Sequence, residues 1–199
     1  MPMRFRRRLL LLSGLILIGL GGAVAPVAQA EEATLMDASL SLSEAGGNPG
    51  LFASTSYEFD LPDTLKNALR RGIALYFVQE VRIEKNRWYW FDKKILDARY
   101  VLRLSFNPIT RRYRLSYKGL STEFDALEQV LPFIKSIRHW RIADYNPLEN
   151  AEDYTVQTRF YLDTARLPKP MQVTSAGRED WTVSSDWYPI TIPREIADR

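Results

Sequence analysis

Alternation of apolar and polar residues dominates the chain beyond residue 35. Since successive side chains of a β-strand point to opposite faces, a period of two predicts strands with one buried and one wet face. The pattern predicts about eight strands, at 36–42, 51–59, 73–84, 100–106, 113–117, 140–145, 154–162 and 181–187. The strands on either side of the turn at 107–110 form the clearest hairpin.

Two short segments have helical spacing instead. The first follows Pro62, which suits a first helical turn, and stops before Gly72, which suits the position after a helix. Its apolar stripe consists of Leu65, Ala68 and Leu69. The second begins with Thr122 and Asp125, which resemble a capping box, and contains Pro132, which we expect to kink or divide it.

These elements predict a mainly β (or β-rich α+β) fold. We expect an antiparallel β-sandwich or curled sheet of about eight strands, with the two short helices covering an end or one face. The prolines of 167–170 predict an extended, edge-like segment. Because no repeat or linker divides the sequence, we interpret 31–192 as a single β-rich exported domain and 193–199 as a frayed polar tail.

Residues 1–30 have the organisation of a secretory signal peptide. Four arginines precede the apolar stretch 9–20, and Ala28-Gln29-Ala30 forms a small-residue cleavage site. The apolar stretch is too short to span a membrane readily as a helix. No later stretch approaches the roughly 18 consecutive apolar residues that a spanning helix needs. We therefore expect cleavage after Ala30 and no transmembrane span in the exported protein. The alternative is an uncleaved anchor that carries the same domain outside the membrane.

The basic balance of the chain belongs to this leader. The sequence has 27 basic and 24 acidic residues, and removal of 1–30 takes four arginines and no acidic residue. The remaining 23 basic and 24 acidic residues give a net charge of −1. Net charge therefore gives no support for a nucleic-acid partner. The absence of cysteine excludes disulfides, thiol catalysis and zinc–thiolate sites.

Side chains that could carry chemistry are few. His139 is the single histidine and lacks the context of a catalytic triad, so we interpret it as structural. The polar loop 144–153 contains Pro147 and no glycine, so it does not match a calcium loop. We interpret five aromatic residues as core rather than as a sugar or peptide platform: Trp88, Trp90, Trp140, Trp181 and Trp187. We expect no catalytic residue, no metal and no cofactor.

Four segments together resemble a known family. They are 71–77, 87–90, 104–111 with Tyr113, and 162–170. As a set they resemble the proteobacterial family catalogued as domain of unknown function 4390, over about residues 33–192. The resemblance implies an exported protein whose activity is unassigned, with no catalytic residues to transfer. Together with the signal peptide, it leads us to expect a periplasmic location. It also suggests a link to envelope signalling.

One face of the predicted hairpin carries opposed cations. A four-residue loop at 107–110 sets a register in which Arg103 pairs with Arg114, and Arg99 with Lys118. Since like charges directly opposite are destabilising, we expect an acidic group between them. Glu80 and Glu84, which flank Arg82 on the preceding strand, are the favoured internal partners.

An outside anion is the alternative partner: a lipid phosphate, a peptidoglycan carboxylate or an acidic protein. The candidate anion-binding residues are Arg99, Arg103, Arg112, Arg114 and Lys118. The favoured function is a non-enzymatic exported binding or adaptor domain, whose partner is an envelope protein or an anionic envelope component. The alternatives are a carrier of an apolar or glycan ligand in an aromatic-lined interior, and a hydrolase with paired carboxylates such as Asp163 and Asp186.

Overall fold

Two β-sheets form the body of the protein in a computed structural model that describes residues 31–43, 50–86, 93–148 and 151–197. The strands in chain order are β1 (Glu31–Glu32), β2 (Thr34–Ser43), β3 (Gly50–Glu58), β4 (Leu75–Lys85), β5 (Lys93–Asn107), β6 (Arg112–Tyr117), β7 (Leu120–Phe124), β8 (Ser136–Ala143), β9 (Tyr154–Leu162), β10 (Val183–Ser184) and β11 (Tyr188–Pro189). The predicted mainly β class is confirmed. Trp88, Trp90 and the leader lie outside the described residues.

The large sheet has eight strands in the order β1-β10-β9-β4-β5-β6-β7, with β11 also pairing with β9. The small sheet has the order β2-β3-β8. All pairs are antiparallel except β1 with β10. The predicted last strand is instead divided into β10 and β11, which are two residues each.

The helices are α1 (Asp63–Arg70), α2 (Leu127–Lys135), α3 (Lys169–Ser175) and α4 (Arg194–Ala197). The first predicted helix is confirmed, with its apolar stripe buried and Gly72 at φ 82° beyond its end. The predicted capping box is wrong, because Thr122 lies in β7 and α2 starts after Ala126. Pro132 does not divide α2. No helix in the described ranges is long and apolar enough to cross a bilayer.

Two segments near the C-terminus differ from their predictions. Residues 169–175 form α3 rather than an extended edge, because Pro170 stands in the first turn, where a helix needs no backbone N–H donor. The predicted polar tail contains α4, whose Ile196 is buried and whose backbone carbonyl accepts from Asn146 Nδ2 at 3.1 Å. The chain is therefore packed as far as α4.

A polar band crosses the core between the two sheets. Thr55 Oγ1 donates to Gln79 Oε1, and Gln79 Nε2 donates to the carbonyl of Ile134 at 2.9 Å. Tyr57 Oη and Thr158 Oγ1 are 2.9 Å apart, and burial raises the pKa of Tyr57 to about 12. These hydrogen bonds join strands of both sheets, because a buried polar group without a partner would be costly.

Local irregularities shift two side chains out of the simple alternation. A β-bulge between Leu35 and Asp37 leaves Met36 exposed, although Met36 begins the apolar alternation of the predicted strand 36–42 and was therefore expected to face inward. His139 has φ 53° at a register shift between β3 and β8, where its ring stacks on Phe52 at 4.0 Å. Trp140 and Trp181 are in the core, as predicted.

Candidate functional site

The β5–β6 hairpin has its cations staggered rather than opposed. The predicted pairing of Arg103 with Arg114 is wrong: Arg103 lies opposite Ser116, and Arg114 lies opposite Ser105. The observed register differs from the predicted one by two residues, which keeps every side chain on its predicted face. The predicted pairing of Arg99 with Lys118 is also wrong, because β6 ends at Tyr117 and Lys118 belongs to the next turn.

The turn of this hairpin explains the two-residue difference. Asn107 belongs to β5 and pairs with Arg112, so the loop is 108–111 rather than 107–110. The Asn107 carboxamide oxygen accepts from the backbone N–H groups of Ile109 and Thr110 at 2.9 and 3.3 Å. Arg111 closes the loop with φ 55°. Asparagine side chains form such local turns, and here that turn sets the register.

A strand that the alternation missed neutralises two of the candidate cations. Lys118 and Gly119 have φ 46° and 87°, which makes the two-residue turn that leads into β7. Glu123 of β7 lies opposite Arg114 and accepts from its Nη2 at 2.6 Å. The hydrogen bond from Arg114 lowers the pKa of Glu123. Arg112 lies 3.5 Å from Glu123 and 3.2 Å from Asp125.

Glu80 is the second acidic centre of this outer face. Its side chain is 0% exposed, and Arg159 reaches its Oε2 with Nε at 3.1 Å and Nη2 at 2.8 Å. Arg82 and Arg99 each place Nη2 3.5 Å from Oε1. The predicted internal partner Glu80 therefore pairs with Arg99, but the carboxylate nearest Arg114 comes from β7.

Trp187 covers this cluster rather than the core. The guanidinium carbons of Arg82 and Arg159 lie 4.2 and 4.4 Å from its ring centroid. Such stacking screens the buried carboxylate from water. Asp97 lies 3.5 Å from Arg99, and although burial raises its pKa, hydrogen bonds and the nearby cations together lower it.

Beside this cluster, a groove of about 440 Å³ opens on the outer face of β4, β5 and β6. We call it the outer groove; its charged lining is Arg99, Arg103, Lys118 and Arg166, and no Asp or Glu lines it. Arg103 lies on β5 between Tyr76 of β4 and Ser116 of β6. Within the described ranges, Arg103 and Lys118 have no carboxylate within 4 Å.

The other two cations of the outer groove already have partners. Arg99 is shared by Glu80 and Asp97, and Glu80 is the main cause of its raised pKa. Arg166 Nε lies 3.0 Å from Asp163, and its guanidinium carbon lies 5.6 Å from the Tyr76 ring centroid. The sequence did not indicate Arg166 and Tyr76 as residues of the outer groove. They come together only because β4 and β9 are neighbouring strands of the sheet.

The remaining candidates do not form a cluster with these residues. Asp163 accepts from the Ala165 backbone N–H and from Arg166 Nε, so it caps a short 3₁₀ helix. Asp186 is exposed. In the part of the chain that the structure describes, no three His, Asp or Glu side chains are arranged to hold a metal ion.

Comparison with known proteins supports the resemblance found in the sequence. A family model described as Domain of unknown function (DUF4390) matches residues 30–191. No curated protein and no solved structure matches the chain.

Proposed function

The chain belongs to the family described as Domain of unknown function (DUF4390). Since that description assigns no function, we propose one from the outer groove of this chain. The protein is a non-enzymatic binding or adaptor domain that holds an anionic group of an envelope component or envelope protein. Arg103 and Lys118 carry this proposal, since two cations share one groove that no carboxylate lines.

The outer groove differs from the turn end of the hairpin in whether its candidate cations have carboxylate partners. Arg112 and Arg114 are matched by Glu123 and Asp125, so the two candidate cations at this end of the hairpin have internal partners. An anion in the outer groove would gain charge-assisted hydrogen bonds from Arg103 and Lys118 without displacing an internal partner.

The walls of the outer groove favour a ligand that has apolar atoms as well as a negative charge. Tyr76, Val101 and Tyr117 supply apolar surface next to the cations. Binding sites commonly combine such apolar walls with a few convergent polar groups. A phosphate of a lipid headgroup and a carboxylate of peptidoglycan both meet this requirement, and the test separates them.

The test compares binding to two purified probes. The first is vesicles of phosphatidylcholine with phosphatidylglycerol, against phosphatidylcholine alone; the second is purified peptidoglycan. The wild-type protein should co-sediment with one of the two, and added salt should weaken the binding. Reversal of both groove charges, Arg103→Glu with Lys118→Glu, should abolish co-sedimentation.

The matched control is Arg111→Glu with Arg194→Glu. It makes the same change in net charge at two exposed positions that do not line the outer groove. The control should bind as the wild type does. Binding of the groove variant at the wild-type level, or no binding of the wild type to either probe, would overturn the assignment of the outer groove to a lipid phosphate or a peptidoglycan carboxylate.

Export to the periplasm is the second part of the proposal. The charged, apolar and small-residue regions of 1–30 support it. Glu31 begins β1, and its backbone N–H donates to the carbonyl of Thr182 at 3.1 Å. Cleavage after Ala30 would leave this strand intact. Intact-mass measurement of protein from the envelope fraction should therefore give a chain that starts at Glu31; a full-length mass in a detergent fraction would indicate an anchor.

A further inference from the structure

A second groove of about 250 Å³ lies on the inner side of the β5–β6–β7 hairpins, beside α2 and the start of β8. We call it the inner groove. The rings of Tyr100 and Tyr117 stack face to face, with centroids 3.8 Å apart and planes 6° apart, and both side chains line this groove. Leu120 and Phe133 also line it. These four side chains make an aromatic and aliphatic surface that opens to water.

The inner groove leaves large apolar side chains exposed. Leu120 is 78% exposed and Phe133 is 56% exposed, although each belongs to a regular element and lines the same groove. Soluble surfaces carry single apolar residues without consequence, but neighbouring ones around a concavity mark a binding site. A ligand with a hydrocarbon part would cover both side chains.

One cation lines the inner groove. Arg138 of β8 is exposed and lines the groove, and no Asp or Glu lines it. No carboxylate of the described chain segments lies within 4 Å of Arg138. By contrast, Arg141 on the same strand lies 2.9 Å from Asp144. The guanidinium group of Arg138 is therefore available to an external anion.

From these two features we infer that the inner groove binds an unbranched hydrocarbon chain that ends in a carboxylate. The chain would lie against the stacked Tyr100–Tyr117 pair, beside Leu120 and Phe133, and the carboxylate would receive hydrogen bonds from Arg138. The volume of about 250 Å³ is below the roughly 300–1,000 Å³ of sites for drug-sized ligands, which suits a slender chain. The two grooves share Tyr117, but their cations differ: Arg138 lines the inner groove, and Arg103 and Lys118 line the outer groove.

The contribution of the hydrocarbon is measurable as a length series. Each additional buried methylene should raise the affinity about fourfold, until the groove is filled. Titration of hexanoate, octanoate and decanoate into the protein purified from the envelope fraction should show this rise. Equal affinities along the series would overturn the assignment of the apolar wall.

The carboxylate is tested at Arg138. Arg138→Gln should weaken decanoate binding at least about tenfold, the effect of losing a hydrogen bond between charged groups. Arg138→Lys should restore part of the affinity, because it keeps the charge and loses the bidentate geometry. Decanol binding should be the same in all three proteins. Equal decanoate binding by Arg138→Gln and the wild type would overturn the role of Arg138.

A surface variant tests the location of the site without disturbing the core. Leu120→Asp should abolish decanoate binding, because it places a negative charge on the wall of the inner groove. Ile109→Asp is the matched control: Ile109 is 92% exposed, lies in the turn at the other end of β6, and lines neither groove. Equal binding by the two variants, or no binding of decanoate by the wild type, would overturn the proposal.

Discussion

Glu80→Gln is the substitution for which the structure makes the strongest stability prediction. The carboxylate is fully buried and lies within 4 Å of three arginines: Arg82, Arg99 and Arg159. Glutamine has nearly the same shape, but its amide nitrogen cannot accept a hydrogen bond from a guanidinium group. The variant therefore loses the negative charge. It also places an N–H donor where a carboxylate oxygen accepted a hydrogen bond from an arginine.

The magnitude follows from burial and from the exposure of the arginines. Removal of one partner from a buried ion pair costs about 3–5 kcal/mol. Here the arginine side chains are 23%, 53% and 33% exposed, so water takes up part of the unbalanced charge. We therefore expect a loss of about 2–3 kcal/mol in the free energy of unfolding, at or just below the lower limit of that range.

Urea denaturation followed by tryptophan fluorescence measures this loss as a shift of the midpoint at unchanged slope. Glu84→Gln is the control, since Glu84 is 26% exposed and meets Arg82 at 3.8 Å; it should cost less than about 1 kcal/mol. Adding Arg99→Gln to Glu80→Gln should destabilise less than the sum of the single changes, because one uncompensated cation is removed. Equal losses for Glu80→Gln and Glu84→Gln would refute the reasoning.

Two further predictions concern the core. Leu104→Ala should cost about 2–5 kcal/mol, because Leu104 is fully buried, whereas Arg103→Ala on the other face of β5 should cost less than about 0.5 kcal/mol; equal denaturation midpoints would contradict the assigned faces. Because the pKa of Tyr57 is raised from 10.0 to about 12, the unfolded chain loses this proton first and stability falls between pH 10 and 12. Tyr57→Phe should show a shallower fall across that range in pH-dependent melting, and an unchanged slope would show that Tyr57 does not contribute.

Which residues face inward was predictable along most strands. Leu102 and Leu104 are buried and Arg103 is exposed, as the alternation predicted, and Leu51, Ala53, Thr55 and Tyr57 of β3 are buried as well. Phe52 on the other face of β3 is also buried, because His139 stacks on it. A slip of two residues does not change the face of a side chain, so this prediction survived the wrong hairpin register. Insertion of a single residue does change it, as the bulge at Met36 shows.

The register and the extra elements depended on local geometry that alternation does not encode. The hairpin register is set by the Asn107 turn and by the left-handed backbone of Arg111. The Lys118-Gly119 turn adds β7, which the sequence pattern presented as the start of a helix. Pro170 is compatible with both a strand edge and the first turn of a helix. The structure has a helix there, and Gln172 of α3 donates from Nε2 to the carbonyls of Ala165 and Leu167.

The sequence by itself determined the mainly β class, the family, the inward and outward faces of the central strands, and the presence of several cations on the outer face. The tertiary structure alone decided which of these cations are neutralised. Arg103 and Arg114 look equivalent in the sequence, yet Arg114 lies beside Glu123 and Arg103 lies between Tyr76 and Ser116. Ion pairing depends on distances across neighbouring strands, and strand order and register fix these distances only when the whole sheet has formed.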